Sequence, residues 1–200
     1  MALETEIKLP IRDGAALRRA LRTAGFRPGQ RRRETNWLFD DARGRLRRQG
    51  LLLRLRRSGG QWLLTGKGRR QGDTRLKIRP EAEMTVADGA GVMAVLAVLE
   101  WRPRLVYERQ RTLWRSPAWP GLEAAWDETL AGEYLELEGG AAMIRRAAAP
   151  LGYGRNDFIT ASYPELFRAW ARRTGHEGTE FRLAAAPHSG RSGRRPARRR

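Results

Sequence analysis

Glu4-Thr5-Glu6-Ile7-Lys8 is the stretch whose reading decides the fold. In a β-strand successive side chains point to opposite sides, so Glu4, Glu6 and Lys8 share one face while Leu3, Thr5, Ile7 and Leu9 take the other. Two carboxylates then stand about 7 Å apart with an ammonium beyond them, a row suited to holding a divalent cation beside an anion. An isolated row of this kind equally describes the wet face of an antiparallel sheet. The other segments must decide between the two.

The same alternation recurs along the chain. Leu53-Arg54-Leu55-Arg56 puts both arginines on one face, and Ser58-Gly59-Gly60 turns it into Gln61 to Lys67, a hairpin that ends on a lysine. From Arg75 to Met84 every odd position is charged: Arg75, Lys77 and Arg79, then Glu81 and Glu83. Pro80 marks that segment as an edge strand or a bulge. Further extended segments are Glu34–Phe39, Arg104–Trp114 with Arg109 and Arg111 on one face, Leu122–Asp127, and Gly132–Glu138 with Glu136 and Glu138 opposite Leu135 and Leu137. Asp40 to Gly44 reads as a turn, and Arg31-Arg32-Arg33 by itself reads as a solvated or nucleic-acid-binding run.

Helices punctuate the strands. Asp13 caps one that carries Leu17 and Leu21 and stops at Gly25, and Asp88 opens another with Val92, Val95, Leu96 and Leu99 in helical spacing. A third runs from about Ala141 to Leu151, and Ser162 with Pro164 starts a fourth. Apolar periodicity is lost from about Arg172, so the expected organisation is one domain over residues 1–171 and a basic, disordered tail over 172–200.

A chain of 200 residues has room for one domain with a genuine core. Its formal charge of +18 implies an anionic partner without naming it. Absence of cysteine excludes disulfides, thiolate metal sites and cysteine nucleophiles, and suits a cytoplasmic setting. His176 and His188 are the only imidazoles and lie near the end of the sequence, which argues against histidine catalysis or ligation. No leader and no membrane span is expected. Trp37, Trp62 and Trp114 sit in strands, where core packing is the commoner role than stacking on a ligand ring.

The outer face of an ordinary half-wet sheet is mixed, but here the charged faces sort into an acidic and a basic set with few Ser or Gln. A closed antiparallel barrel with its charged faces inward and its apolar faces packed against helices outside would collect both sets in one cavity. Burying so many charges requires ligands of both signs, so such a cavity should take metal cations together with a polyanion. Mg²⁺ suits the carboxylates, with Mn²⁺ as the alternative, and guanidinium and ammonium groups suit phosphate oxygens.

At these positions the sequence resembles the CYTH superfamily, the triphosphate tunnel metalloenzymes, which include inorganic and thiamine triphosphatases and class IV adenylate cyclases. The residues that carry the resemblance are Glu4-x-Glu6-x-Lys8, Leu53-Arg54-Leu55-Arg56, Thr65-Gly66-Lys67-Gly68, Arg79-x-Glu81-x-Glu83, Arg109, Asp127, Glu136-Leu137-Glu138, Leu151-Gly152-Tyr153 and Ser162-Tyr163, in the family's order. The resemblance implies an α+β fold, an eight-stranded antiparallel β-barrel with helices outside. It implies a first metal held by Glu4, Glu6 and Glu138 with Glu136 in support, and Glu81, Glu83 and Asp127 as candidates for a second metal or for orienting water. Lys8, Arg54, Arg56, Lys67, Arg79 and Arg109 would grip a triphosphate, with Lys8, Arg56 and Glu83 acting at the reacting phosphorus. Arg75, Lys77 and Arg111 fit the charge pattern, with a solvated strand end as their alternative.

The expected activity is a Mg²⁺-dependent triphosphatase acting on inorganic triphosphate or an organic triphosphate. One alternative is a cyclase that makes cyclic AMP and pyrophosphate from ATP. The other is a non-catalytic binder of polyphosphate or nucleic acid, for which the Arg-rich tail offers a non-specific contact.

Overall fold

Charge alternation in strands and apolar spacing in the connecting segments produce, over the described residues 2–72 and 75–184 of a computed structural model, nine strands and five α-helices. In chain order they are β1 (Ala2–Pro10), α1 (Gly14–Thr23), β2 (Arg27–Asp40), α2 (Arg45–Arg48), β3 (Leu52–Ser58), β4 (Gln61–Lys67), β5 (Lys77–Val86), α3 (Gly89–Val98), β6 (Arg102–Arg115), β7 (Glu123–Thr129), β8 (Gly132–Glu138), α4 (Ala141–Ala148), α5 (Tyr163–Thr174) and β9 (Glu180–Phe181). Strands follow the order β2-β3-β4-β5-β1-β8-β7-β6, and β6 pairs back onto β2, so eight antiparallel strands close on themselves. Closure removes the exposed strand edges that an open sheet would leave.

The barrel is apolar outside and charged inside. Ile7 and Leu9 of β1 and Leu135 and Leu137 of β8 are fully buried, in one cluster with Leu17 and Leu21 of α1 and Ile144 of α4. Each such side chain contributes about 1.5–3 kcal/mol by leaving water. Helix α1 begins where expected because Asp13 accepts from the N–H groups of Ala15 and Ala16, both at 2.9 Å. Helix α5 begins with a capping box, in which Ser162 N–H donates to Glu165 Oε2 at 2.6 Å. It sets Tyr163 and Phe167 against Leu105 and Tyr107 of β6 in a second apolar cluster.

Five local expectations are corrected. Strand β2 starts at Arg27, before the expected Glu34, and two arginines of the basic run are paired: Arg31 Nε donates to Glu128 Oε1 at 3.0 Å and Arg33 Nε to Glu108 Oε2 at 3.2 Å, while Arg32 stays exposed. The Asp40 turn continues into the short helix α2, because Asp40 accepts from the N–H groups of Leu46 and Arg47 at 2.9 and 3.0 Å. Pro80 lies within the barrel wall, opposite Leu3, and not at an edge. Its carbonyl accepts from Gly68 N–H at 2.8 Å, but its nitrogen, on the same side of the strand, has no hydrogen to return, and the β4–β5 ladder ends at Lys67 and Glu81.

Helix α3 does not bury its apolar stripe: Val95, Val98 and Leu99 are 61%, 83% and 60% exposed. The helix has no polar residue to define a wet face, and it docks by its first turn, where Gly89 lies so close to the Trp62 ring that a Cβ would overlap it. Packing also continues past Arg172. Helix α5 runs to Thr174, and β9 pairs in parallel with β6, with Phe181 stacked 4.7 Å from Phe167. A lone aromatic after a glycine turn has no periodicity to announce it. The tail from residue 185 onward lies outside the described residues.

Candidate active site

Inward faces of seven barrel strands, all but β2, and the start of α5 border a cavity of about 260 Å³, lined by every charged residue of the expected set except Arg75 and Asp127. Glu4 and Glu6 reach it from β1 and Glu138 from β8, because the β1–β8 register sets Glu6 opposite Glu138. One carboxylate oxygen from each of these three lies within 4.8 Å of the others, the sole such group among the described residues.

Cations border this cluster. Lys67 Nζ donates to Glu4 Oε1 at 2.5 Å and lies 3.1 Å from Glu81 Oε1, and Arg79 Nε donates to Glu4 Oε2 at 3.1 Å. Lys8 Nζ sits between Glu6 Oε1 at 3.1 Å and Glu136 Oε2 at 2.9 Å, while Lys77 also donates to Glu6. Arg54 and Arg56 of β3 face Glu83 at 3.5 and 3.3 Å, and Glu83 accepts from the Thr65 hydroxyl at 2.8 Å.

Proton affinities follow from this crowding. Burial, reinforced by the charges of Glu136, Glu4 and Glu6, pushes the Glu138 carboxyl up to about 7. Burial and Glu6 likewise raise Glu4. Burial opposes ionisation of Glu6, yet Lys8 and Lys77 hold it well below the usual carboxylate range. Burial and the neighbouring Lys8 bring the Lys77 ammonium down to about 8, and burial with Arg54 brings Arg56 down to about 10. The acidic end thus carries more negative charge than its lysines neutralise, and the Arg54–Arg56 end more positive charge than Glu83 neutralises.

Asp127 is elsewhere. It is fully buried behind the cavity wall, where Arg111 donates to both its oxygens at 2.6 Å, Arg109 Nη1 donates at 3.1 Å and the Tyr163 hydroxyl at 2.5 Å. With both oxygens taken it is not placed to ligate an ion; it orients the two arginines. Glu81 and Glu83 do line the cavity, but each faces cations and neither belongs to the three-carboxylate group. Of the less secure positions, Lys77 and Arg111 line the cavity, whereas Arg75 precedes β5 and donates to Asn156 Oδ1 at 2.6 Å.

Two groups went unread in the sequence. Glu34 accepts from Arg109 Nε at 2.8 Å and lies 3.8 Å from Arg56; burial would raise its pKa, but Arg109, Arg111 and Arg56 hold it down to about 2. Asn36 is fully buried opposite Arg56 and Tyr107, and neither side-chain polar atom has a hydrogen-bond partner. The period-two spacing of Glu34 and Asn36 was the available signal, and it extends the inward face of β2.

A family model for the CYTH domain matches residues 2–148. The chain belongs to the CYTH family. No curated protein sequence matches it. Among solved structures, an adenylate cyclase candidate from Vibrio parahaemolyticus is similar with a TM-score of 0.69 at 17% identity, over 83% of this chain and 98% of that one. A protein from Pyrococcus horikoshii matches with a TM-score of 0.69 at 20% identity, over 82% and 98%. An adenylyl cyclase candidate from Hippeastrum, described as having a dominant triphosphatase activity, matches with a TM-score of 0.60 at 20% identity, over 85% and 96%. At these identities the likeness is one of fold, and the CYTH barrel is what all of them share. No described helix is long and apolar enough to cross a membrane.

Proposed function

We propose that this CYTH protein is a divalent-metal-dependent triphosphatase. The observation that carries the reading is the meeting, in one enclosed cavity, of three carboxylate oxygens within 4.8 Å of one another and a facing set of arginines and lysines. The donor set fits a hard cation: three carboxylates, one of them with its pKa raised to about 7 by burial and by its neighbours, gain most from an ion such as Mg²⁺. Glu4, Glu6 and Glu138 would hold it, and its positive charge would counter the negative charge of phosphate oxygens.

The chain's own groups supply the rest. Arg54, Arg56, Lys67, Arg79 and Arg109 bind phosphate oxygens along the barrel, and Lys8 and Arg56 face charge that develops on the transferred phosphoryl group. Water attacks phosphorus in line with the bridging oxygen; the new P–O bond forms as the anhydride P–O bond breaks, and the bond electrons leave with the shortened phosphate. Glu83, held by Thr65 and Arg56, is the carboxylate placed to take the proton of that water. Asp127 and Glu34 keep Arg109 pointed at its task.

The test is incubation of purified protein and Mg²⁺ with inorganic triphosphate, ATP or thiamine triphosphate, followed by chromatography. Orthophosphate from any of them, lost in Glu4→Gln and Glu6→Gln, supports the reading. Cyclic AMP and pyrophosphate from ATP would make the protein a cyclase. Retained polyanion affinity with no turnover of any substrate would make it a binder.

A further inference from the structure

A second cavity, of about 700 Å³, opens beside the tunnel, and Leu52, Arg79, Ser162 and Pro164 line both. Part of its wall is apolar, with Phe39, Leu46 and Leu105. The rest is basic, and the acids among it are already engaged: Asp40 by backbone N–H groups of the α2 turn, Asp41 by Arg45, and Glu165 by Ser162 and Arg70. Arg43, Arg47, Arg104 and Arg168 have no ion pair among the described residues. Arg47 comes from α2 and Arg168 from α5, two elements far apart in sequence that bring like charges to one wall. Burial and the charge of Arg47 together hold the Arg168 guanidinium below its usual pKa.

We propose that this cavity is a second ligand site that takes an organic monophosphate, with the phosphate on Arg47 and Arg168 and the apolar body against Phe39, Leu46 and Leu105. Planar guanidinium groups donate in pairs to oxyanions, and a phosphate dianion offers three oxygens where two unpaired cations converge. An apolar wall beside a few placed polar groups is the usual make-up of a small-molecule site. The site is separate from the metal cluster, so it stands whether or not the tunnel hydrolyses triphosphate. Arg79 is the residue the two cavities have in common that also touches the metal cluster, through its Nε bond to Glu4.

The experiment is calorimetric titration of the full chain with adenosine 5′-monophosphate in the absence of divalent ions, on the wild type, on Arg47→Gln/Arg168→Gln and on Lys67→Gln. Arg47 is exposed and Arg168 half-buried, so the double variant retains the fold. The expected result is stoichiometric binding that weakens at least about tenfold in the double variant and changes less than about twofold in Lys67→Gln. Weakening in Lys67→Gln with none in the double variant would place the nucleotide in the tunnel and overturn the proposal. So would the absence of binding to the wild type at millimolar concentration.

Discussion

Two regions of the barrel lining use the same residue types to opposite ends. Around Asp127, every charge has a matched partner: Arg109 and Arg111 converge on one carboxylate, Glu34 takes the other side of Arg109, and Tyr163 closes the remaining position. Around Glu138, three carboxylates crowd together and the balance is left incomplete. The first arrangement is balanced within itself and fixes where Arg109 and Arg111 stand on the cavity wall. In the second, burial and the crowded carboxylates raise the Glu138 carboxyl to about 7, which sets this cluster apart from a structural ion-pair network.

The sharpest way to break this contrast is Asp127→Ala. It removes the acceptor that two buried arginines share, leaving Arg109 on Glu34 and Arg111 on Glu136, and should cost about 3–5 kcal/mol, read as a shift in the denaturant midpoint at unchanged slope. Glu138→Gln should do the reverse in metal-free protein and raise the midpoint, since it removes one of the crowded charges. Next in size, Glu4→Gln and Glu6→Gln should each lower metal-dependent phosphate release about a hundredfold or more, some 2.7 kcal/mol of transition-state stabilisation, without unfolding the barrel.

The two regions should also answer pH in opposite senses. Glu138 has its folded pKa raised to about 7, above its unfolded value, so its contribution to metal-free stability is largest in acid and declines as pH rises from about 4.5 through 7. Divalent ion should reverse that decline, and Glu138→Gln should flatten it in thermal melts taken with and without Mg²⁺. Glu34, held at about 2, contributes stability present above its unfolded pKa near 4.5 and lost as pH falls through 2. Glu34→Gln should remove that acid limb. The smallest effect expected is Tyr163→Phe, which deletes one donor to Asp127 and should cost about 1 kcal/mol in the same unfolding assay.

Much of this was legible in the sequence because strand alternation is a local property. Glu4, Glu6 and Lys8 on one strand and Glu136 and Glu138 on another predicted an acidic inner face, and Arg54, Arg56, Arg109 and Arg111 a basic one. What alternation cannot carry is partnership across strands. Asp127 stands at an inward position like any ligand, and only the register of β6 against β7, which sets Arg111 opposite it, commits it to orienting arginines. Pro80 reads as an edge until β5 is seen to pass from one neighbour to the other at Glu81, which pairs with both Ala2 and Lys67. Helix α3 has core-like spacing with no core beside it, since spacing says nothing of whether another surface arrives.

The seam between β2 and β6 has a consequence for how the molecule assembles. It joins Glu34 to Arg109 and lies alongside Arg33 with Glu108, residues remote in sequence that meet late, after the hairpins on either side exist. Both lips are nonetheless net basic, with Arg32 opposite Arg111 and Arg27 opposite Arg115, so the two strands repel over a distance at which apolar side chains exert no pull. Ring closure is then a step that dissolved salt speeds, by screening that repulsion.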